Sequence, residues 1–198
     1  MALTPVAANE IATIVTTLEM TRRPALRPLP DSPLRLVAWE RPDPAKYRAL
    51  FRRVGAPWLW FSRLVMDEAA LTRIIHDPDV TVLAALDLRG IEVGLLELDF
   101  RTPGACELAY VGLVPELTGS GHGRWLMAHA LMRAWTGSVS RVWVHTCTLD
   151  HPSALGFYRA SGFTATGRTV ETFVDPRILG LLPPDAAPQI PLLAPIRR

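Results

Sequence analysis

The stretch that most narrows the folds open to this chain runs from residue 106 to 149. An apolar segment, "CELAYVGLVP", leads into a turn with glycine at 119, 121 and 123. An apolar helical run follows at once, and then a second strand-like segment, "SRVWVHTCTL". Leu126, Met127, Ala130, Leu131 and Ala134 recur at the 3.6-residue period of a helix face. A helix joining two strands of one sheet carries the chain back to its starting edge, so those strands lie parallel. Upstream, "DVTVLAALDL" and "IEVGLLELDF" flank Arg89 and Gly90 as a hairpin does. An antiparallel meander that runs into one parallel crossover predicts a mixed, mostly antiparallel α/β sheet and not a doubly wound one.

The remaining segments fit around that unit. Residues 11–21 are rich in β-branched side chains and predict a strand, followed by the proline-rich connector "RRPALRPLPDSP" and a second strand in "LRLVAWE". "DPAKYRALFRRVG" and "MDEAALTRIIHD" read as short helices, separated by the aromatic loop "APWLWFSRLV". A later helix is expected over 152–160, with Pro152 in its first turn and Gly162 at its end, then a strand in "GFTATGRTVETFV". The division that results is an N-terminal strand and connector (1–33), a central domain (34–175) and a proline-rich tail that packs on it (176–198). With 198 residues, 49% of them hydrophobic, the chain can bury one good core. A net charge of +2 without a basic block gives no reason to expect nucleic acid. No apolar run reaches the roughly 18 residues of a membrane span. Cys106 and Cys147 form no C-x-x-C pattern, so a reducing, cytoplasmic setting is expected.

Glycine at a helix start costs up to about 1 kcal/mol per residue against alanine. What it offers is exposed backbone: the first N–H groups of a helix are free and carry about half a positive charge. Without Cβ atoms, a phosphate approaches them closely. The turn lacks G-K-[ST] and follows a meander, which excludes a nucleotide P-loop and a dinucleotide fingerprint. One strand downstream lies "DHPSALGFYRASGF". Together with "VPELTGSGHGRWLM", this segment resembles the GNAT superfamily of acyl-CoA-dependent N-acyltransferases, over roughly residues 35–172. Val114, Pro115, Gly121, Gly123, Ala154, Tyr158, Gly162 and Phe163 match its signature, whereas Thr118 stands where Arg or Gln is usual and His151 where Asn is common.

The resemblance implies a GNAT-like sheet with helices on both faces and acetyl-CoA as acyl donor. In the family's manner, the turn from Thr118 through Gly119, Ser120, Gly121, His122 and Gly123 would present its N–H groups to the CoA pyrophosphate. The main chain of Leu113 and Val114 would pair with the pantetheine arm, and an N–H near Leu113 would face the thioester carbonyl. Tyr158 matches the usual general acid, and Glu107 the catalytic glutamate of the histone-acetylating branch. A lysine-like amine, with a pKa near 10.4, must lose a proton before it can attack, and Glu97, Asp99 and His145 are further candidates to take it. An acyl-enzyme on Cys147 is disfavoured. "HTCTLDH" fits no zinc spacing, so no metal is expected; a helix cap at Asp150 and His151 accounts for it better. His76, His122 and His129 read as surface residues. Trp58, Trp60 and Phe61 offer an aromatic wall for the acceptor, and Arg63 a partner for an acceptor carboxylate. The acceptor itself, whether a small-molecule amine, an amino acid or a protein N-terminus, is left open, as is a homodimer. The rival reading is a non-catalytic acyl-CoA-binding or sensory module on the same fold.

Overall fold

The computed structural model describes residues 3–25 and 28–193. Side-chain caps set the helix starts. The carboxylate of Asp43 accepts the N–H of Lys46 at 2.9 Å and opens α1 (Pro44–Gly55). Asp67 accepts that of Ala70 at 2.6 Å and opens α2 (Glu68–Ile75). Such caps satisfy donors that the helix itself leaves unpaired. Asp87 accepts from the N–H groups of Arg89 and Ile91, closing the hairpin between β3 (Val80–Leu86) and β4 (Glu92–Asp99).

The remaining elements are β1 (Glu10–Met20), β2 (Arg35–Ala38), β5 (Ala105–Leu113), α3 (His122–Ala134), β6 (Arg141–Cys147), α4 (Ala154–Ala160) and β7 (Thr164–Val174). α4 starts two residues later than expected. Asp150 does not cap it; the ring of His151 accepts the Ser153 N–H at 3.1 Å instead. All seven strands join one sheet in the order β2-β3-β4-β5-β6-β1-β7, and every pairing is antiparallel except β5 with β6. The crossover through α3 therefore produces the expected parallel pair. β4 is buried at every position from Val93 to Asp99, as happens only when both faces of a strand are covered; α1 and α3 are the helices against it.

β1 lies inside this sheet. Its strand runs antiparallel to both β6 and β7 and fills the slot that the α4 connection leaves between them. After β7 the chain is pinned by a buried ion pair, Arg177 to Asp175 at 2.7 Å. The same guanidinium donates to the carbonyls of Ala186 and Ile190, which seats Leu182 and Ala187 in the core. Gln189 then donates to the Pro57 carbonyl at 2.8 Å, so the tail braces the aromatic loop after α1. No helix among the described residues is long and apolar enough to cross a membrane.

Candidate active site

β5 and β6 pair only from Ala105 to Glu107, against Arg141 to Trp143. Just beyond, β5 carries a bulge: Glu97 faces Tyr110 and Leu98 faces Leu108, so Ala109 has no opposite residue. An extra residue bends the strand that bears it, and the two parallel strands part. A cavity of about 750 Å³ fills the gap, walled by residues 108–113 on one side and by Val144, His145 and Cys147 on the other. Along this wall the main chain of β5 has no strand on its β6 side, and that edge is available to a ligand.

One end of the cavity is the glycine turn. Thr118, Gly119, Ser120, Gly121 and Gly123 line it, with Arg124 beside them. Gly119 and Gly121 hold φ of 83° and 85°, the left-handed region that other residues enter at a cost. The first bond of α3 runs from the Arg124 N–H to the Gly121 carbonyl, 3.1 Å, and no side chain caps the helix. Among the described residues, the N–H groups of positions 119–123 take no main-chain partner. A row of free donors at the positive end of a thirteen-residue helix suits a diphosphate. Three expected members sit differently. The Thr118 N–H is bound to the Pro115 carbonyl at 3.0 Å, so Thr118 lines the cavity without a free main-chain donor. Val114 is buried, and its N–H is already bound to the Val93 carbonyl at 2.9 Å, so it is not free for a pantetheine arm. The ring of His122 turns from the cavity to the Ser32 hydroxyl, 3.0 Å away, leaving only its main chain at the helix start.

Tyr158 of α4 also lines the cavity, with its side chain buried. Burial, reinforced by the charge of Asp150, raises its phenol well above the ordinary value, and it is a proton donor at neutral pH. His145 of β6 lines the cavity as well. Glu107 does not line the cavity; its carboxylate lies 3.1 Å from Nδ1 of His145, whose ring does. The reason is register. Glu107 pairs with Trp143 in the last rung before the strands part, so its side chain falls diagonally beside residue 145 on the same face. The hydrogen bond from His145 to Glu107 raises the imidazole above its usual value, and the charges of Glu107, Asp150 and Glu171 act in the same direction. Nδ1 donates to the carboxylate, which leaves Nε2 to accept a proton.

The other candidate bases lie elsewhere. Glu97 is fully buried, takes the Tyr47 hydroxyl at 2.5 Å and pairs with Arg63 at 2.6 Å. Asp99 is held by Arg101, and neither acid reaches the cavity. Arg63 is thereby removed as a partner for an acceptor carboxylate: it is buried against Glu97 and stacked behind the Tyr110 ring, 5.1 Å from its centroid. Burial and the charge of Asp150 raise the Cys147 thiol, which keeps it protonated and a poor nucleophile.

The aromatic loop forms the far end. Trp58, Trp60 and Phe61 all line the cavity, together with Ser62, Tyr110, Glu171 and Phe173. Phe61 stacks on Phe173 at 4.4 Å, and Trp60 packs at 5.1 Å from Tyr110. The indole of Trp60 donates to Asp150 at 3.2 Å. Asp150 also accepts from the Thr146 hydroxyl at 2.7 Å and the Cys147 N–H at 3.0 Å, so one carboxylate ties the end of β6 to the aromatic wall. Neither that role nor the place of Glu171 and Phe173 on the wall could be read from sequence, because each needs β7 set beside β1. The three histidines taken for surface residues have partners: His76 meets the Pro42 carbonyl at 2.9 Å, His129 lies near Arg133 at 3.0 Å, and His122 holds Ser32. Among the described residues no three His, Cys, Asp or Glu side chains group as a metal site would require.

A family profile described as "Acetyltransferase (GNAT) family" matches residues 35–163, the span from the start of β2 to the residue before β7. No curated protein matches the chain. Among solved structures it is similar to a GCN5-related N-acetyltransferase from Sphaerobacter thermophilus, with TM-score 0.57 and 20% identity over 82% of this chain and 51% of that one. An aminoglycoside acetyltransferase from an uncultured soil metagenomic sample gives TM-score 0.55 and 20% identity over 70% and 93%. A spermidine N-acetyltransferase from Vibrio cholerae gives 0.53 and 21% over 75% and 98%. At these identities the likeness is one of fold, and the chain spans about half the length of the Sphaerobacter protein.

Proposed function

The chain belongs to the acetyltransferase (GNAT) family, and from that premise we propose that it is an acetyl-CoA-dependent N-acetyltransferase acting on a primary amine. The observation that carries this reading is the parting of β5 from β6 over a cavity that ends in free N–H donors. The turn from Gly119 to Gly123 would hold the diphosphate and the open edge of β5 would hold the pantetheine. Acetyl-CoA brings the thioester carbonyl and its thiolate leaving group. His145 takes the proton from the amine through Nε2, with Glu107 holding the ring and stabilising its charged form. The amine nitrogen forms the new bond to the acyl carbon as the carbon–sulfur bond breaks, and its remaining excess proton passes to water, from which Tyr158 is reprotonated. Tyr158 gives its phenolic proton to the departing sulfur. In this scheme His145 and Tyr158 touch the reacting atoms, and Glu107 acts through His145.

The aminoglycoside and polyamine acceptors named for two fold relatives support an amine acceptor in general terms. Acetyl-CoA at 100 times its dissociation constant should stabilise the protein by about 2.7 kcal/mol. A thermal unfolding series in rising acetyl-CoA checks this, and a midpoint that does not move would remove the basis of the proposal.

A further inference from the structure

Acyl transfer needs a free amine but says nothing about the rest of the acceptor; the far end of the cavity does. Five aromatic rings face it: Trp58, Trp60, Phe61, Tyr110 and Phe173. The carboxylates on that lining are Asp150 and Glu171, and Arg124, at the glycine turn, is the one Lys or Arg on the lining among the described residues. Another guanidinium, Arg63, is committed to Glu97 at 2.6 Å and packs on the Tyr110 ring. The imidazoles offer an anion little. His145 gives Nδ1 to Glu107, and His151 is engaged by Ser153 at 2.7 Å with its ring edge against Trp58. A carboxylate entering here would lose its water and meet two like charges, while the imidazolium of His145 is already paired with Glu107 at 3.1 Å. An ammonium would meet the opposite: two carboxylates and the faces of aromatic rings.

Resting on the acetyltransferase reading of the same cavity, we infer that the acceptor is a primary amine with an aromatic or aliphatic body and no anionic group, so that free amino acids are excluded. The aromatic end holds the body, while Glu171 and Asp150 attract the incoming ammonium. Glu171 stands at the rim on β7 and is exposed, whereas Asp150 is fixed by its three hydrogen bonds.

Calorimetric titration of the full chain, with excess CoA present, tests this with three ligands: phenethylamine, phenylalanine and phenylalaninamide. They share the ring and the amine, and only phenylalanine adds a negative charge. Phenethylamine and the amide should bind about tenfold or more tighter than the acid. Glu171→Lys should shrink or invert that preference without disturbing the fold, since the position is solvent-exposed. Equal affinities, tighter binding of the acid, or no binding by any of the three would overturn the inference. Failure of the acetyltransferase reading is a separate result: the binding preference would stand while no CoA thiol is released from acetyl-CoA.

Discussion

In the proposed reaction, the pairing of His145 with Glu107 decides how the site handles protons. The carboxylate stabilises imidazolium, so His145 titrates above its ordinary value and must lose that proton before it can serve as a base. Activity should therefore rise with pH through a limb lying above about 6.5, the value of a free imidazole. Glu107→Gln removes the charge, and the limb of kcat/KM should move to lower pH. His145→Ala should reduce kcat/KM by about 10²–10⁴-fold, the usual weight of a general base. Rate profiles of the two variants check both. A limb that stays in place in Glu107→Gln would show that the two groups are not coupled in catalysis. The sign for stability follows from the same shift: a folded-state value above the unfolded one means that the contact stabilises at low pH. That contribution is lost as pH rises through the folded value. Sequence alone put Glu107 in the catalytic role because its position on β5 matches. What it did not contain was the rung opposite Trp143, which points the carboxylate at residue 145 and away from the cavity.

At the scale of elements, the start of α3 was the clearest feature in the sequence, since alternate glycines before an apolar helical period have few structural uses. The two glycines nearest the helix differ in what they do. Gly121 sits at φ 85°, so a side chain there strains the backbone by roughly 1–2 kcal/mol whether or not a ligand is bound. Gly123 has an ordinary φ, and a Cβ on it would lie 3.8 Å from the Phe157 ring, a normal contact. Gly121→Ala should therefore lower the melting temperature, whereas Gly123→Val should leave it close to wild type and weaken acetyl-CoA by crowding the donor row. Unfolding curves with and without acetyl-CoA separate the two effects; a Gly123→Val protein with the full ligand-induced shift would mean that the diphosphate lies elsewhere. The bulge at Ala109 was not readable in the same way. "CELAYVGLVP" has the same apolar pattern with or without an extra residue, and only the pairing with β4 reveals it.

For the whole molecule, local patterns were enough for every strand and helix, and the parallel crossover followed from their order. The place of β1 did not, because "IATIVTTLEM" reads equally well as an outer strand or an inner one. Its insertion between β6 and β7 sets Glu171 and Phe173 on the cavity wall, and the tail beyond β7 braces Pro57 in the aromatic loop. The aromatic end of the cavity is thus assembled from segments lying more than a hundred residues apart, which explains why Trp58, Trp60 and Phe61 could be placed there from the sequence and Glu171 and Phe173 could not. The account as a whole rests on chemistry in which Tyr158 protonates a leaving thiolate while an amine attacks. The most direct measurement is amine-dependent release of CoA thiol from acetyl-CoA, compared between the wild type and Tyr158→Phe. The account predicts thiol release that requires a primary amine, and a kcat about 10²-fold lower in the variant, with acetyl-CoA affinity nearly unchanged because only the hydroxyl is lost. Thiol release that is indifferent to amine, or a variant as fast as the wild type, would contradict it.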